Sequence, residues 1–229
     1  MNKIFGLLYF VIIWFLSSII CLAHRYRQME QRNKEMKVQQ LNAELSYLKA
    51  QINPHFLFNT LNNIYSLAIC ENEQTPEAIL KLSAIMRYVT DDATADTVPL
   101  QKEIDYLQNY IALQQLRSNN KLEIKFTISG DLQHNKIAPL LLINFIENAF
   151  KYGVSNHLPC YVDIEIFILN NNITLKVNNK IISGIVTEST ATGANNTLRR
   201  LELQYPNKHS LQINDQDHLY KIILQINLA

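Results

Sequence analysis

The sequence predicts a membrane-spanning helix, then a helical hairpin, then an α/β domain in which one helical layer covers one mixed sheet. Residues Ile4–Ala23 form an uncharged apolar run that is long enough to cross a bilayer as a helix. Between residues 38 and 89, apolar side chains recur at spacings of three and four, which is typical of packed helices. From Lys121 onward the spacing changes to two, which indicates half-buried strands separated by helical stretches.

The composition indicates a folded protein with no electrostatic preference for nucleic acid. The chain has 229 residues, enough for one or two domains, and 48% of them are hydrophobic. The net charge of +1 leaves no basic surplus for a phosphate backbone, so we expect no direct nucleic-acid partner. Cys21, Cys70 and Cys160 have no metal-ligand spacing and suggest no disulfide framework, which fits a reducing compartment.

The charges around the apolar run predict its orientation. Lys3 precedes the run, whereas a cluster of basic residues follows it: His24, Arg25, Arg27, Arg32, Lys34 and Lys37. The positive-inside rule therefore predicts a single-pass protein of the inner, or cytoplasmic, membrane, with residues 1–23 as the anchor and the later domains in the cytoplasm. The alternative is a cleaved signal peptide, because Cys21-Leu22-Ala23 resembles a cleavage site, although the run is long for one.

The sequence pattern of residues 24–117 predicts helices. Residues 24–37 form a polar helical connector, and residues 38–117 form a dimerisation region. Its first helix runs from Val38 to Cys70, is bent at Pro54, and has an apolar seam of Val38, Leu41, Leu45, Leu48 and Ile52. Thr75 caps the second helix and Pro76 opens it, and its seam is Ile79, Leu82, Met86 and Val89. Two such antiparallel helices form a hairpin, and two hairpins are expected to form a dimeric four-helix bundle.

A further helix opens at Val98 and ends near Arg117, and residues 118–229 predict the α/β domain. The expected strands cover residues 122–128, 162–168, 173–177, 211–213 and 220–226. Pro139 starts a strongly apolar helix over residues 140–151, and a short helix covers residues 194–205. Strands and helices in this mixed order predict a sheet with a helical layer on one face.

A histidine directly after a proline, Pro54-His55, is the first candidate site. A proline inside a helix costs roughly 3 kcal/mol, and a purely structural helix gains nothing from that cost. The segment around it, Leu48–Asn62, reads LKAQINPHFLFNTLN and closely resembles the phosphoacceptor segment of LytS-type sensor histidine kinases. This resemblance implies that His55 is phosphorylated on a ring nitrogen, a chemistry that suits imidazole because much of it is neutral and nucleophilic near neutral pH.

The base that takes the proton of His55 stays open. Many other histidine kinases place an acid directly after the histidine, whereas Phe56 stands here. Asn59, one helical turn on, is expected to orient the ring without acting as a base.

The segment Asn144–Gly153, which reads NFIENAFKYG, resembles the N-box of the GHKL (Bergerat-like) ATP-binding fold. The resemblance implies that ATP binds here, with contacts from Asn144 and Gly153, and that Asn148 binds Mg2+ through its amide oxygen. Lys151 would approach phosphate as a point charge, and Glu147 would assist proton transfer or metal binding. The alternative is an amphipathic helix with a polar outer face.

Two further nucleotide-binding elements are reduced. The family reads adenine with an aspartate after a strand, and Asn179 is the expected equivalent, which offers a neutral hydrogen bond without charge assistance. Gly193 is what remains of a phosphate-binding glycine loop, and we expect an open lid over residues 181–195. Asn196 and Arg200 match the family's pattern after that loop, and Arg199 or Arg200 could contact phosphate or be a solvated helix charge.

The resemblance thus implies a membrane-anchored sensor histidine kinase that autophosphorylates on His55 as a homodimer. It would pass the phosphoryl group to an aspartate of a response regulator, of the LytTR type. With a single span, no extracellular sensor domain is expected, so the stimulus would come from the membrane, a partner or the cytoplasm. One alternative is a dimeric signalling scaffold that docks a regulator but binds ATP poorly, which the reduced glycine loops favour. Another is a mechanical ATPase of the same fold, which would not need the Pro-His string.

Overall fold

The computed structural model describes residues 14, 22, 24–37, 54–117, 122–154, 158–181, 189–216 and 219–228. The chain divides into two units, Met1–Ile52 and Asn53–Ala229. In the first unit, helix α1 covers residues 24–37 and is exposed along its length, as expected of the connector. The predicted membrane span, apart from Trp14 and Leu22, and the seam at residues 38–52 lie outside the described residues. Within the described part of the chain, no helix has both the length and the apolar character needed to cross a membrane.

The second unit begins with helices and continues with a sheet. Its first elements are α2 (Pro54–Ile69), α3 (Thr75–Arg87), a π-helical turn (Tyr88–Asp92), β1 (Val98–Pro99) and α4 (Leu100–Arg117). The remaining elements are β2 (Leu122–Ser129), β3 (Lys136–Ile137), α5 (Ile143–Gly153), β4 (Cys160–Leu169), β5 (Asn172–Lys180), α6 (Ser189–Gln204), β6 (His209–Gln216) and β7 (Leu219–Asn227).

The predicted hairpin is present as α2 and α3, which pack together across a short turn. Pro76 lies in the first turn of α3, as predicted. The predicted cap by Thr75 is wrong, because its hydroxyl donates to the carbonyl of Asn72 at 2.8 Å, in the turn before the helix. Whether a longer helix bends at Pro54 stays a prediction, since the residues before Pro54 lie outside the described part.

The sheet has five strands in the order β2-β4-β5-β7-β6, with β2 and β4 parallel and the other neighbours antiparallel. One face is buried, and it includes Val162, Ile164, Ile166, Ile168, Ile173, Leu175 and Val177. Helix α5 packs on β4 and β5 through this face, with Ile146 and Ala149 fully buried. The opposite face is more polar and carries an exposed ion pair between Lys176 and Glu165 at 3.9 Å. The predicted mixed sheet with helices is confirmed.

Several boundaries differ from the sequence predictions. Helix α4 begins at Leu100 rather than Val98, because Val98 and Pro99 form a short strand that pairs with β3. Helix α5 begins at Ile143 rather than Leu140, because residues 139–142 form a turn in which Leu140 has a positive φ of 55°. Strand β5 continues to Lys180, so Asn179 lies inside the strand and pairs with Val162 of β4. Helix α6 begins at Ser189 rather than Ala194, which places Gly193 inside a helix instead of a loop.

The turn before α5 is held by the carboxylate of Glu103, a fully buried residue of α4. It accepts hydrogen bonds from the amides of Leu140 at 2.9 Å, Leu141 at 3.1 Å and Leu142 at 3.3 Å, and from the hydroxyl of Tyr88. These amides lie in the turn before α5, which begins at Ile143, and buried amides need an acceptor, so this carboxylate holds the turn that leads into the helix. Burial raises the pKa of Glu103, and the hydrogen bonds from Tyr88 and the amides oppose that rise.

We expect Glu103→Gln to destabilise the second unit. The new amide group offers one acceptor oxygen instead of two, so buried amides before α5 lose their partner. A buried donor left without an acceptor costs about 1–3 kcal/mol. Urea unfolding of the whole protein measures this loss in the free energy of unfolding.

The matched control is Glu77→Gln on α3, whose carboxylate is exposed and pairs with Lys81 at 3.1 Å. Surface pairs of this kind contribute about 0.3–0.5 kcal/mol, so this variant should unfold close to the wild type. Equal stability of the two variants would contradict the role assigned to Glu103.

Candidate active site

A cavity of about 460 Å³ lies where α2, α4 and α5 meet. Its lining residues are His55 and Phe56 from α2, Tyr110, Gln114 and Arg117 from α4, and Glu147, Asn148, Phe150 and Lys151 from α5. All of them belong to the second unit of the chain. The structure therefore brings the Pro-His segment and the N-box-like helix to one site, although more than eighty residues separate them in the sequence.

His55 lies on the first described turn of α2 and is exposed to solvent. The side-chain nitrogen of Asn59 is 3.2 Å from Nδ1 and 3.2 Å from Nε2 of the imidazole. Residues four apart lie on the same side of a helix, so Asn59 is placed to limit rotation of the ring. Asn59 therefore lies beside the imidazole, and its orienting role stays a prediction.

Aromatic side chains join the three helices beside His55. The rings of Phe56 and Tyr110 have centroids 4.7 Å apart, and the rings of Tyr110 and Phe150 are 5.9 Å apart in an edge-on arrangement. Tyr110 is buried, and its hydroxyl accepts a hydrogen bond from Nε2 of Gln114 at 2.8 Å. Burial raises the pKa of the Tyr110 hydroxyl, and the nearby charge of Glu147 raises it further, so this hydroxyl stays protonated. We call Phe56, Tyr110 and Phe150 the aromatic column.

The polar face of α5 supplies the opposite wall of the cavity. Glu147 and Asn148 are half-buried, and Lys151 is exposed one turn further on. Asn144 does not line the cavity; its amide donates to the carbonyl of Leu140 at 3.3 Å, so it braces the start of α5. Among the described residues that line the cavity, Arg117 and Lys151 are basic and Glu147 is acidic. This excess of positive charge favours an anionic ligand.

Asn179 is fully buried on β5, beside the end of α5. Its Nδ2 donates to the carbonyl of Lys180 at 3.2 Å, whereas its Oδ1 has no hydrogen-bond partner among the described residues. A buried acceptor without a partner is costly. Gly153 makes room for this side chain, because a Cβ added there would lie 2.6 Å from Nδ2 and 2.8 Å from Cβ of Asn179. Neither Asn179 nor Gly153 lines the cavity, so a nucleotide contact by either residue stays a prediction.

The three predicted site residues of α6 do not line the cavity. Asn196 is exposed, and Gly193 lies inside the helix. The guanidinium of Arg200 donates to the carbonyls of Pro139 and Leu140, in the turn before α5. Arg200 therefore has a structural contact here, and a phosphate contact for these three residues stays a prediction.

The residues of the cavity offer few ligands to a magnesium ion. Within the described ranges, no group of three or more His, Cys, Asp and Glu side chains is arranged to hold a metal ion. Magnesium commonly takes one or two protein oxygens together with phosphate oxygens and water. Asn148, with Glu147 beside it, fits that mode of binding and does not fit a closed metal site made of protein ligands alone.

Tyr110, Gln114 and Arg117 line the cavity but are not among the residues predicted for the site from the sequence. Their spacing of four and three residues, which places them on one face of α4, was the available signal. This face of α4 lines the cavity because α4 packs against α2 and α5. A local sequence pattern carries no information about that packing.

We expect Gly153→Ala to displace Asn179 and to destabilise the protein. A contact of 2.6–2.9 Å between the new Cβ and the Asn179 side chain forces one of them to move. Overpacking of this kind costs typically about 1–3 kcal/mol. A double-mutant cycle with Asn179→Gly measures the coupling, because that change removes the clashing side chain. Additive costs in the urea unfolding of the single and double variants would contradict a direct clash.

The chain was compared with known proteins. Residues 43–122 match the family model described as histidine kinase. The chain is 34% identical over 142 residues to the sensor protein LytS of Bacillus cereus, covering 61% of this chain and 24% of that protein. It is 30% identical over 185 residues to the sensor protein LytS of Staphylococcus epidermidis, covering 76% of this chain and 31% of that protein. The chain thus spans between a quarter and a third of the length of these curated relatives.

Among solved structures, the catalytic domain of the histidine kinase ThkA aligns with a TM-score of 0.40 and 13% identity, covering 58% of this chain and 94% of that domain. The family match covers the Pro-His segment, and the LytS relatives extend across most of the chain. These similarities support a sensor histidine kinase of the LytS type.

Proposed function

We propose that the protein is an ATP-dependent protein histidine kinase of a two-component system, which autophosphorylates on His55. The observation that supports this most is the shared cavity, which has His55 on one wall and Glu147, Asn148 and Lys151 on the other. A phosphoacceptor and a phosphate-binding helix must face one space for transfer to take place. A helix that only packs against its neighbours would need neither this arrangement nor the exposed imidazole.

The transfer is a displacement at phosphorus. An unprotonated ring nitrogen of His55 forms the N–P bond to the γ-phosphoryl group, and the bond from phosphorus to the bridging oxygen of ADP breaks. ADP leaves with that electron pair, and the proton on the other ring nitrogen is released to solvent or to a nearby base. Arg117 and Lys151 provide positive charge close to the transferred group, which is where phosphoryl transfer needs it. Asn148 would hold a magnesium ion through its amide oxygen, and the ion would neutralise part of the phosphate charge.

Recognition of adenine is assigned to Asn179. Its buried Oδ1, which has no partner among the described residues, is an acceptor suited to the amino group of adenine. The packing of Gly153 against this side chain holds it at the end of the N-box helix.

We assign two roles to the hairpin, which are dimerisation and binding of the response regulator. On α2, large apolar side chains remain exposed in a stripe at spacings of three and four: Phe58, Leu61, Tyr65 and Ile69. An exposed apolar stripe on a helix supports pairing with a second helix, as in a homodimeric four-helix bundle. The phosphoryl group would pass from His55 to an aspartate of a response regulator, of the LytTR type. Residues 1–23 would anchor the protein in the cytoplasmic membrane, with the kinase parts in the cytoplasm.

The second candidate function is a dimeric scaffold that docks a regulator and binds ATP poorly. The position of Gly193 inside α6 favours it, since a glycine within a helix does not form a phosphate-cradling loop. The cavity opposes it, because a scaffold has no need of His55 facing the N-box residues.

We expect His55→Gln to abolish the incorporation of acid-labile phosphate from radiolabelled ATP while leaving ATP affinity and dimerisation unchanged. Glutamine keeps a polar side chain but has no nucleophilic ring nitrogen. The control is His24→Gln on α1, where the imidazole is exposed and contacts Gln28 at 3.2 Å, and labelling there should equal the wild type. Undiminished labelling of His55→Gln would exclude His55 as the acceptor.

We expect Asn179→Asp to tighten ATP binding, because a carboxylate accepts a charge-assisted hydrogen bond from adenine. Hydrogen bonds to charged groups contribute about 1.5–3 kcal/mol and neutral ones about 0.5–1.5 kcal/mol, so the gain is on the order of 1 kcal/mol, or several-fold in affinity. Calorimetry on the whole protein measures it. Asn178→Asp adds the same charge at a neighbouring strand position whose side chain points to the opposite face, and should leave affinity unchanged. Unchanged or weaker binding by Asn179→Asp would show that Asn179 does not read adenine, and absence of binding in every protein would favour the scaffold.

A further inference from the structure

His55 and the N-box-like helix of the same chain border one cavity. His55, Glu147 and Asn148 all belong to the unit Asn53–Ala229. In a homodimer, the histidine of one chain could receive the phosphoryl group from the nucleotide of either chain. The packing of α2 on α4, and of α4 on α5, within one chain favours the nucleotide of the same chain.

The aromatic column fastens the histidine helix to the nucleotide helix. Phe56, the residue after His55, packs on Tyr110 of α4, and Tyr110 packs on Phe150 of α5. Aromatic pairs at these separations are favourable beyond the area they bury. Phe56 and Phe150 are next to His55 and Lys151 in the sequence, so these ring contacts set the spacing between the imidazole and the side chain of Lys151.

Two further contacts hold the hairpin against the nucleotide domain of the same chain. Tyr88, at the end of the hairpin, donates to Glu103, which also holds the amides before α5. The short strand β1 pairs with β3, aligning Val98 with Ile137. These contacts lie on both sides of the link between α3 and α4, so they hold the end of the hairpin beside the turn that precedes α5 in the same chain.

We propose that phosphoryl transfer to His55 takes place within one chain, with the aromatic column positioning the imidazole against the nucleotide bound by that same chain. This inference rests on the proposed kinase function. The bond changes are those of the displacement described above: the ring nitrogen of His55 gains the phosphoryl group and ADP leaves, with no atom supplied by a second chain.

Two mixed dimers of the whole protein separate transfer within a chain from transfer between chains. Each pair is co-expressed with a different affinity tag on each chain, purified over both tags, and incubated with radiolabelled ATP and magnesium. The first pairs a His55→Gln chain with an Asn148→Ala chain, so that acceptor and nucleotide site lie on different chains. The second pairs a wild-type chain with a chain that carries both substitutions, so that one chain has both.

Transfer within a chain predicts no label in the first dimer and label on the wild-type chain in the second. Transfer between chains predicts the reverse, which would overturn the proposal, as would silence of both dimers when the wild-type homodimer is labelled. A wild-type protein that takes no label refutes the kinase function instead, so the two failures are distinguishable. If the chains do not form a dimer, the His55→Gln and Asn148→Ala proteins are mixed in solution in place of the first dimer. In place of the second dimer, the labelling rate of the wild-type protein is measured at several protein concentrations. Transfer within a chain then predicts a rate that does not depend on protein concentration.

The role of the aromatic column is tested with a matched pair of variants. Tyr110→Phe keeps the ring and loses the hydrogen bond from Gln114, whereas Tyr110→Leu removes the ring. Misplacing a reacting group by about 1 Å can cost on the order of a hundredfold in rate. We therefore expect Tyr110→Leu to lower the rate of transfer by at least about tenfold with ATP affinity unchanged, and Tyr110→Phe to retain the rate. Equal rates in the two variants, or a parallel loss of ATP affinity, would contradict positioning by the column.

Discussion

The buried carboxylate of Glu103 is the interaction on which the arrangement of the second unit depends. It is the point where the end of the hairpin, α4 and the start of α5 meet, through Tyr88 and the amides of residues 140–142. A carboxylate in the interior is tolerated only when its oxygens are hydrogen-bonded, so each of these partners stabilises the others. Arg200 of α6 binds the carbonyls of the same turn, so a fourth element ends at this point.

The turn at residues 140–142 positions the two helices that line the cavity opposite α2. Helix α5 leaves the turn with Glu147, Asn148 and Lys151 facing α2, and α4 presents Tyr110 and Arg117 beside them. The sheet fixes the far end of α5, where Gly153 lies directly against Asn179. The site is thus held at both ends of the N-box helix, by a carboxylate at the start and by close backbone approach at the end.

Much of the fold could be predicted from the sequence, because its information is local. The three-four spacing predicted α2 and α3, and the period of two predicted the five strands of the sheet. The motifs predicted that His55 and Asn148 belong to the site. The misses have non-local causes. The start of α5 was predicted too early because Glu103, far away in the chain, binds the amides of the turn before it. The pairing of β1 with β3 was missed because each strand has two residues, which is too few for a sequence pattern. The wall supplied by Tyr110, Gln114 and Arg117 exists only once three helices have met.

The parallel pairing of β2 with β4 makes α5 a crossover helix, and this fixes an order of assembly. Residues Phe126 and Ile164 are partners in that pairing, with the whole of α5 between them in the sequence. Helix α5 has no surface to cover until β4 has been synthesised, so the hairpin and α4 leave the ribosome well before the segment that completes the site. During that interval the carboxylate of Glu103 can be solvated by water, and it is withdrawn from water only when residues 140–142 arrive. Chain growth therefore places α2, with His55, in the nascent chain before α5, with Asn148, although the folded protein holds them together.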